Sequence, residues 1–534
     1  MTGEVIRYGY LNRLWLYKDA DAIKVITGMR RVGKSVLMRQ FISVLQNSGI
    51  PKESITYIDM DSVRYDRYRD GKALYSDIMS KDGGGRQYIL IDEVQNISDW
   101  IRIVESLRND TDCDIYITGS NAYMLSTDLS TLLTGRNVPI TVMPLSFGES
   151  MLLHGDDDTR SAFVRYMRHG GLPIIKPAYS EEVSFQMIEE LKSDIILKDI
   201  CRRNKVDPQK IRNVIDYLYS EVGNPISVKR ISDTLGIATN SASDYLRLIT
   251  DSMLFLKAER YDLKGNMVLT QEPKYYCSDT GMRYSQPISA KRDFGKTLEN
   301  IVYLELVRRG CRVYVGKTDG GDSADRHLEI DFIVMRDDVV DYYQVTESLN
   351  DPAVYEREVR PLRKISGRGE RYIITYDDVP VTKSADAIVE NIRDFLMERS
   401  QDGFDLKRYG IDPYLTISDI IASYVDICIR ISETVVTSEN FDALSSMLQE
   451  RFFDLQAYFR REEFIEDTML QDSLANIRKN NVRIFNSMIG CVNANTKGSG
   501  YCPQMGGMLE ELKGIKDSII RHISEGPNKK GRML

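Results

Sequence analysis

The chain has 534 residues, 42% hydrophobic and 28% charged. That composition excludes a wholly disordered, collagen-like or fibrous chain, and at roughly 100–200 residues per domain the length implies about three to five domains. A formal net charge of −8 excludes a generic basic coat for nucleic acid and leaves room only for a local patch.

The seven cysteines (113, 201, 277, 311, 428, 491 and 502) include no C-x-x-C pair, and there are four histidines. Buried free thiols are therefore expected, not a disulfide framework or zinc site. The N-terminal MTGEVIRYGYLNRLW lacks a signal-peptide core. No uncharged stretch reaches the roughly eighteen apolar residues of a membrane span, and the most hydrophobic candidate, near 417–431, contains Asp419 and Asp426. A soluble, cytoplasmic chain with no membrane partner is the expectation.

Residues 1–155 alternate strand and helix signals. AIKVIT, SITYIDM, YILIDEV, DIYITGS and PITVM are short apolar runs, and SVLMRQFISVL has helical spacing. Continuous apolar strands alternating with helices predict an α/β domain, its parallel sheet covered on both faces. Between the first run and that helix lies Gly28-Met29-Arg30-Arg31-Val32-Gly33-Lys34-Ser35, which fits G-x-x-x-x-G-K-S/T. Its glycines let backbone N–H groups approach phosphates, and the helix N-terminus adds positive potential. Lys34 should reach the β/γ-phosphates and Ser35 should ligate Mg²⁺. ATP and Mg²⁺ are thus the expected ligand and cofactor.

YILIDE ends in two carboxylates at a strand tip, where ligands of such sheets bind. Asp92 would hold Mg²⁺, usually through water, and Glu93 would orient or deprotonate the attacking water. In YITGSN, Asn121, with Ser120 in reserve, is a candidate for positioning that water or binding the γ-phosphate. Arg136, in TGR before the next strand, is a candidate arginine finger, in cis or from a neighbouring subunit. Asn204-Lys205-Val206-Asp207 spells the guanine-reading N-K-x-D, but it follows a helical segment instead of ending a strand, so adenine nucleotide is preferred over guanine.

Helical signals run over 156–213, broken by GGLP at 170–173. Residues 214–287 read as short helices followed by strands, 288–399 as a new α/β segment, and 400–534 as helical. In this last part Phe441, Leu444, Leu448, Phe452, Leu455 and Phe459 mark one helix face. Intramolecular packing of that stripe is preferred over a subunit or partner contact. The break KGSGYCPQMGG precedes a last helix near 508–524.

Together GMRRVGKS, LIDEVQNISDW, YITGSNAYMLS, LLTGRNVPITVMPLSFGE and HGGLP resemble one family. It is the AAA-like ATPases of archaea and bacteria with a C-terminal restriction-endonuclease-like domain of unknown function. The resemblance covers roughly residues 8–395 and implies an additional-strand P-loop ATPase sheet, a helical lid, a winged helix and a PD-(D/E)xK-like α/β domain, followed here by a helical tail. For the winged helix, residues 216–260 hold five Lys/Arg against six Asp/Glu. Structural or protein-contact use is therefore preferred over DNA reading, since phosphate contacts normally supply most non-specific affinity. In the nuclease-like part the matching positions are Glu299, Asp331, Gln344 and Thr346. A threonine where active enzymes carry lysine argues against cleavage; Lys317 and Lys364 are replacements by count alone. The leading reading is an ATPase that couples Mg·ATP hydrolysis to conformational change. The alternatives are an ATP-dependent DNA-binding or DNA-processing protein of mobile-element or defence type and a nucleotide-gated scaffold, with a protein partner or self-association plausible.

Overall fold

In a computed structural model of the protein, β1 (Ile23–Thr27), β2 (Ile55–Asp59), β3 (Gln87–Asp92), β4 (Cys113–Thr118) and β5 (Asn137–Thr141) form one sheet in the order β2-β3-β4-β1-β5. The structure describes residues 5–80, 85–119, 136–156, 158–176, 179–265, 267–286, 293–319, 327–336, 339–365, 369–398, scattered positions over 421–452, then 468–495 and 505–525. Every neighbouring pair in this sheet is parallel. β4 stands between β1 and β3, the inserted strand that distinguishes an additional-strand sheet. The middle strands are buried from end to end save a first residue, because helices cover both faces. On one side Ile89 and Ile91 pack with Trp100, Ile103 and Leu107 of the helix Trp100–Asp110. On the other, Phe41 of the helix Lys34–Asn47 meets Tyr116 with ring centroids 4.9 Å apart. Parallel strands put the carboxyl ends of β1, β3 and β4 on one edge, which collects their loops into a common crevice.

Lys24 and Asp114 face each other from β1 and β4 as a fully buried ion pair. Asp114 also accepts hydrogen bonds from the Asp19 N–H and the Tyr116 hydroxyl, both at 2.8 Å. A buried charge pair is tolerable only when the remaining lone pairs are satisfied in this way.

The helices Thr159–His169 and Glu181–Asp194 follow, and the second continues directly into a π-helical turn, Ile195–Cys201. The N-K-x-D residues lie at no strand end. Asp207 instead caps the helix Pro208–Ser220, accepting from the Gln209 N–H at 2.8 Å. The helices Val228–Leu235 and Thr239–Asp251 come next, then the antiparallel strands β6 (Phe255–Asp262) and β7 (Met267–Cys277).

A second sheet adds β8 (Arg312–Asp319), β9 (His327–Arg336), β10 (Val339–Thr346), β11 (Arg371–Thr375), β12 (Thr382–Lys383) and β13 (Ile388–Asn391) in the order β12-β13-β11-β10-β9-β8-β6-β7. Its core gathers Ile330, Ile333, Val359, Leu362 and Ile373. The hairpin of residues 214–287 and the strands of 288–399 share this one sheet, because β6 pairs in parallel with β8 through Arg260–Asp262 and Val315–Lys317. The free edge of a hairpin offers unpaired N–H and C=O groups, and the next strand takes them up.

Two compact units divide between Asp405 and Leu406. In the second, the helices Thr468–Asn495 and Met505–Glu525 are joined by an Arg483–Glu511 ion pair at 2.8 Å. The last helix begins at Met505, three residues before the expected start at 508. Leu444, Leu448 and Phe452 of the apolar stripe are buried, Phe452 beside Tyr424 of the same unit at 6.4 Å. Leu455 and Phe459 lie outside the described residues.

Candidate functional site

At the carboxyl edge of the first sheet is a cavity of about 510 Å³, with Arg30, Gly33, Lys34, Ser35 and Glu93 among its lining residues. Gly28 opens the loop with φ +148°, and a Cβ there would stand 2.4 Å from the Val142 carbonyl oxygen, so no other residue fits without moving β5's continuation. Lys34 is buried and donates to the carbonyls of Gly28 and Met29 at 3.0 and 3.2 Å. Burial lowers its pKa, against the opposing pull of Glu93 and Asp92. Its ammonium is thus held inside the curl of the loop by carbonyls that a phosphate can outbid.

Glu93 sits in the left-handed region at φ +55°, which turns its carboxylate away from Asp92 and into the cavity. Its N–H donates to the Thr118 hydroxyl at 3.0 Å, and Thr118 donates in turn to Asp92. Burial raises the Glu93 carboxyl, while Lys34 offsets part of that rise. Asp92 lies behind the cavity lining and is buried, its second oxygen taking the Tyr57 hydroxyl at 3.2 Å. Burial, then the Asp92 charge, pushes the Tyr57 phenol up, so the phenol stays a donor. The hydroxyl of Ser35 and the carboxylate of Asp92, the groups expected to hold Mg²⁺, offer oxygen donors, the chemistry that suits that ion. With Asp92 set back, contact through water is the geometry compatible with its position.

Asn121 and its reserve Ser120 lie outside the described residues. Arg136 is described and is not at the site. Its carbonyl accepts the Ile23 N–H at 2.9 Å, and Asn137 pairs with Ile23 at the start of β1. The loop begins five residues further along β1, about 16 Å away at roughly 3.3 Å per residue. A role for Arg136 in cis is therefore corrected: it occupies the amino edge of the sheet, opposite the phosphate loop.

Several residues of the cavity went unmarked in the sequence. Arg7 is buried and braces the loop, donating to the Val32 carbonyl at 3.3 Å, the Met143 carbonyl at 3.1 Å and Glu149 at 2.8 Å. Glu149 closes a capping box with Ser146 on the helix Phe147–His154. A lone arginine near the N-terminus carries no signal for this. Pro173 and Ile174 line the cavity, and here the GGLP motif was the available signal. A Cβ on Gly171 would come within 2.2 Å of the Leu145 carbonyl oxygen, so glycine is what lets this turn close over the loop. Asp279 fixes the turn from below, accepting N–H groups of Gly171 at 2.7 Å and Gly281 at 3.0 Å. Burial raises its carboxyl to about 6, against those amides.

A second cluster lies on the other sheet. Glu299, Asp331 and Gln344 come together with two lysines, Lys296 and Lys274 of β7. The Lys274 ammonium reaches Glu299 at 2.9 Å and Glu329 at 2.6 Å, while Lys296 and the Tyr276 hydroxyl contact Glu299 at 2.7 and 2.6 Å. Burial alone would raise Glu299; Lys274 and Lys296 hold it low instead. Burial and the Glu299 charge raise Asp331, whose Oδ2 accepts the Val345 N–H at 2.8 Å. Gln344 spends its oxygen on the Asp331 N–H at 2.7 Å and its amide on Glu358 at 3.2 Å. Thr346 is buried. Among the described residues no group of three or more His, Cys, Asp or Glu is arranged to hold a metal ion, and no helix is long and apolar enough to cross a membrane.

The AAA domain family matches residues 20–151, and a domain of unknown function matches 160–292. An uncharacterized protein of Haemophilus influenzae is 38% identical over 355 residues, 64% of this chain and 86% of that protein. One of Methanocaldococcus jannaschii is 26% identical over 389 residues, 67% of this chain and 83% of that one. Among solved structures, the Orc1 protein of Aeropyrum pernix in complex with DNA aligns at 12% identity and a TM-score of 0.26, covering 57% of this chain and 94% of that one. So slight a likeness carries no argument. The chain belongs to the family of the Haemophilus influenzae protein, and the segment holding its phosphate loop and Asp92-Glu93 pair is an AAA domain of the P-loop ATPase type.

Proposed function

We propose that the chain binds Mg·ATP in the cavity beside Lys34 and hydrolyses it, and that the nucleotide state sets its conformation. The observation that carries this reading is the convergence of Gly33, Lys34, Ser35 and Glu93 on one cavity at the carboxyl edge of a parallel sheet. Backbone N–H groups of the loop cradle the phosphates, and Lys34 exchanges its carbonyl partners for phosphate oxygens. Glu93, its carboxyl raised by burial, is suited to orient and deprotonate water. Ser35 and, through water, Asp92 would hold Mg²⁺, which offsets negative charge on the phosphate oxygens. The apolar wall made by Val5, Leu145, Leu153, Pro173 and Ile174 is the natural seat for an adenine ring. In Lys34→Ala, binding or turnover should be abolished; unchanged ATP affinity and turnover would sink the reading.

The remaining parts are read from their geometry. The helices of residues 208–251 with the β6–β7 hairpin have the layout of a winged helix. Asn240, Ser243, Asp244 and Arg247 are exposed on its third helix, a face too poor in cations for DNA, so we assign it protein contact or structure. Residues 288–399, with the hairpin, fit a nuclease-like fold without cleavage, because Lys274 at its acidic cluster is spent on two carboxylates and Lys296 on one of them. Cleavage of several DNA forms with Mg²⁺ or Mn²⁺ that disappears in Asp331→Ala would overturn this and favour the DNA-processing reading. An arginine-finger role for Arg136 requires a second copy of the chain, and turnover per chain should then rise with protein concentration.

A further inference from the structure

Arg30 stands third in the phosphate loop, and its guanidinium is the cation of the cavity wall that is already engaged in a two-pronged contact. Nε and Nη2 donate to the two carboxylate oxygens of Asp199 at 3.1 and 2.9 Å. Asp199 is buried, lines the same cavity as Lys34, Ser35 and Glu93, and belongs to the π-helical turn Ile195–Cys201. Arg30 keeps 35% of its side chain exposed, so it can leave this partner without unpacking a core. Parallel donation to two oxygens is the geometry in which a guanidinium grips phosphate as readily as carboxylate. A triphosphate entering beside Lys34 brings a stronger set of acceptors to the same wall and sets like charge against Asp199. Single π-turns are frequent at functional positions, and this one leads through residues 202–207 into the helix Pro208–Ser220.

We propose that Arg30 is the terminal-phosphate arginine of this ATPase, acting in cis, and that Asp199 holds its place until ATP arrives. The exchange frees Asp199 and lets the π-turn report the γ-phosphate to the helices that follow. This rests on the ATP reading above. It also fills, from within the loop, the part for which Arg136, about 16 Å from the start of the loop, stands too far away.

The test is equilibrium binding of ATP and of ADP, each with Mg²⁺, and steady-state turnover, on the full chain. Arg30→Ala should weaken ATP binding about tenfold or more and cut turnover about 10²–10³-fold, while ADP binding is unchanged. Arg30→Lys keeps the charge without the fork, and should recover part of the ATP affinity but not the turnover. Asp199→Asn should move ATP affinity the opposite way, tightening it, because the competing carboxylate is gone. A purely structural clasp predicts another pattern: both Arg30→Ala and Asp199→Asn weaken ATP and ADP alike and lower the melting temperature together. That pattern overturns the proposal, as does Arg30→Ala with an unaltered preference for ATP over ADP. Should Arg30→Ala not fold, the opposed shifts of Arg30→Lys and Asp199→Asn still decide. A wild-type chain that binds neither nucleotide defeats the ATP reading itself, an outcome distinct from every pattern above.

Discussion

At the scale of single residues, the candidate site works by division of labour between adjacent carboxylates. Asp92 continues the strand and stays buried among hydroxyl donors, whereas Glu93 leaves it through a positive-φ turn and enters the cavity. Glu93→Gln should therefore retain ATP binding and lose hydrolysis by at least about a hundredfold, the loss expected of a removed general base. Wild-type hydrolysis in that variant would place the base elsewhere. Thr118 was inside a motif that drew attention to Asn121, yet it is Thr118 that ties Asp92 to the Glu93 backbone. Thr118→Val keeps the shape and removes both bonds. Its turnover should fall about 10–100-fold, the usual cost of losing a supporting partner, with nucleotide affinity retained; an unchanged turnover number would make the hydroxyl merely structural.

Between elements, buried charge does much of the joining. Lys274 binds β7 to the helix Phe294–Arg308 through Glu299, and to β9 through Glu329. Removing one member of such a network leaves the others uncompensated, so Lys274→Met should cost about 3–5 kcal/mol in chemical denaturation. A loss within experimental error would mean that water already reaches the cluster. Asp279 joins the Gly170–Gly171 turn to the short helix Thr280–Tyr284 and carries a pH signature. Its folded pKa of about 6 lies above the roughly 3.9 of an unfolded aspartate. Between these values the folded chain holds a proton that the unfolded chain has released. This group's contribution to stability accordingly falls as pH rises from about 4 to 6, by at most about 1.4 kcal/mol per pH unit, and is level above that. Relative to Asp279→Asn, the wild type should gain stability as pH drops through this window; a constant difference would show that Asp279 titrates normally.

For the whole molecule, the division at Asp405 and Leu406 predicts that a chain ending at Asp405 folds cooperatively and hydrolyses ATP at the rate of the full chain. The described residues that line the cavity all belong to the first unit. Failure of the shortened chain to fold, or an altered oligomeric state on gel filtration, would assign the tail a part in assembly.

The amino-acid sequence by itself determined the local chemistry of the phosphate loop and the strand tips. Gly28, Lys34, Ser35, Asp92 and Glu93 form short contiguous patterns, and apolar runs with turn residues between them encode a parallel sheet on their own. Tertiary structure decided whatever depends on residues distant along the chain. Arg30 and Asp199 are 169 positions apart, and Arg7 and Met143 are 136 apart, separations at which no pattern links one residue to the other. Arg136 looked suitable beside its motif, and only the strand register showed that it lies at the opposite edge of the sheet. Lys274 was hidden for the same reason: a lysine preceding a hairpin's final strand residues reads as surface until β6 pairs with β8 and brings the hairpin against the acidic cluster. Period and composition fix which face of an element is apolar, but the partner of a charged side chain is fixed by the crossing of elements, and that is settled only when the chain has folded.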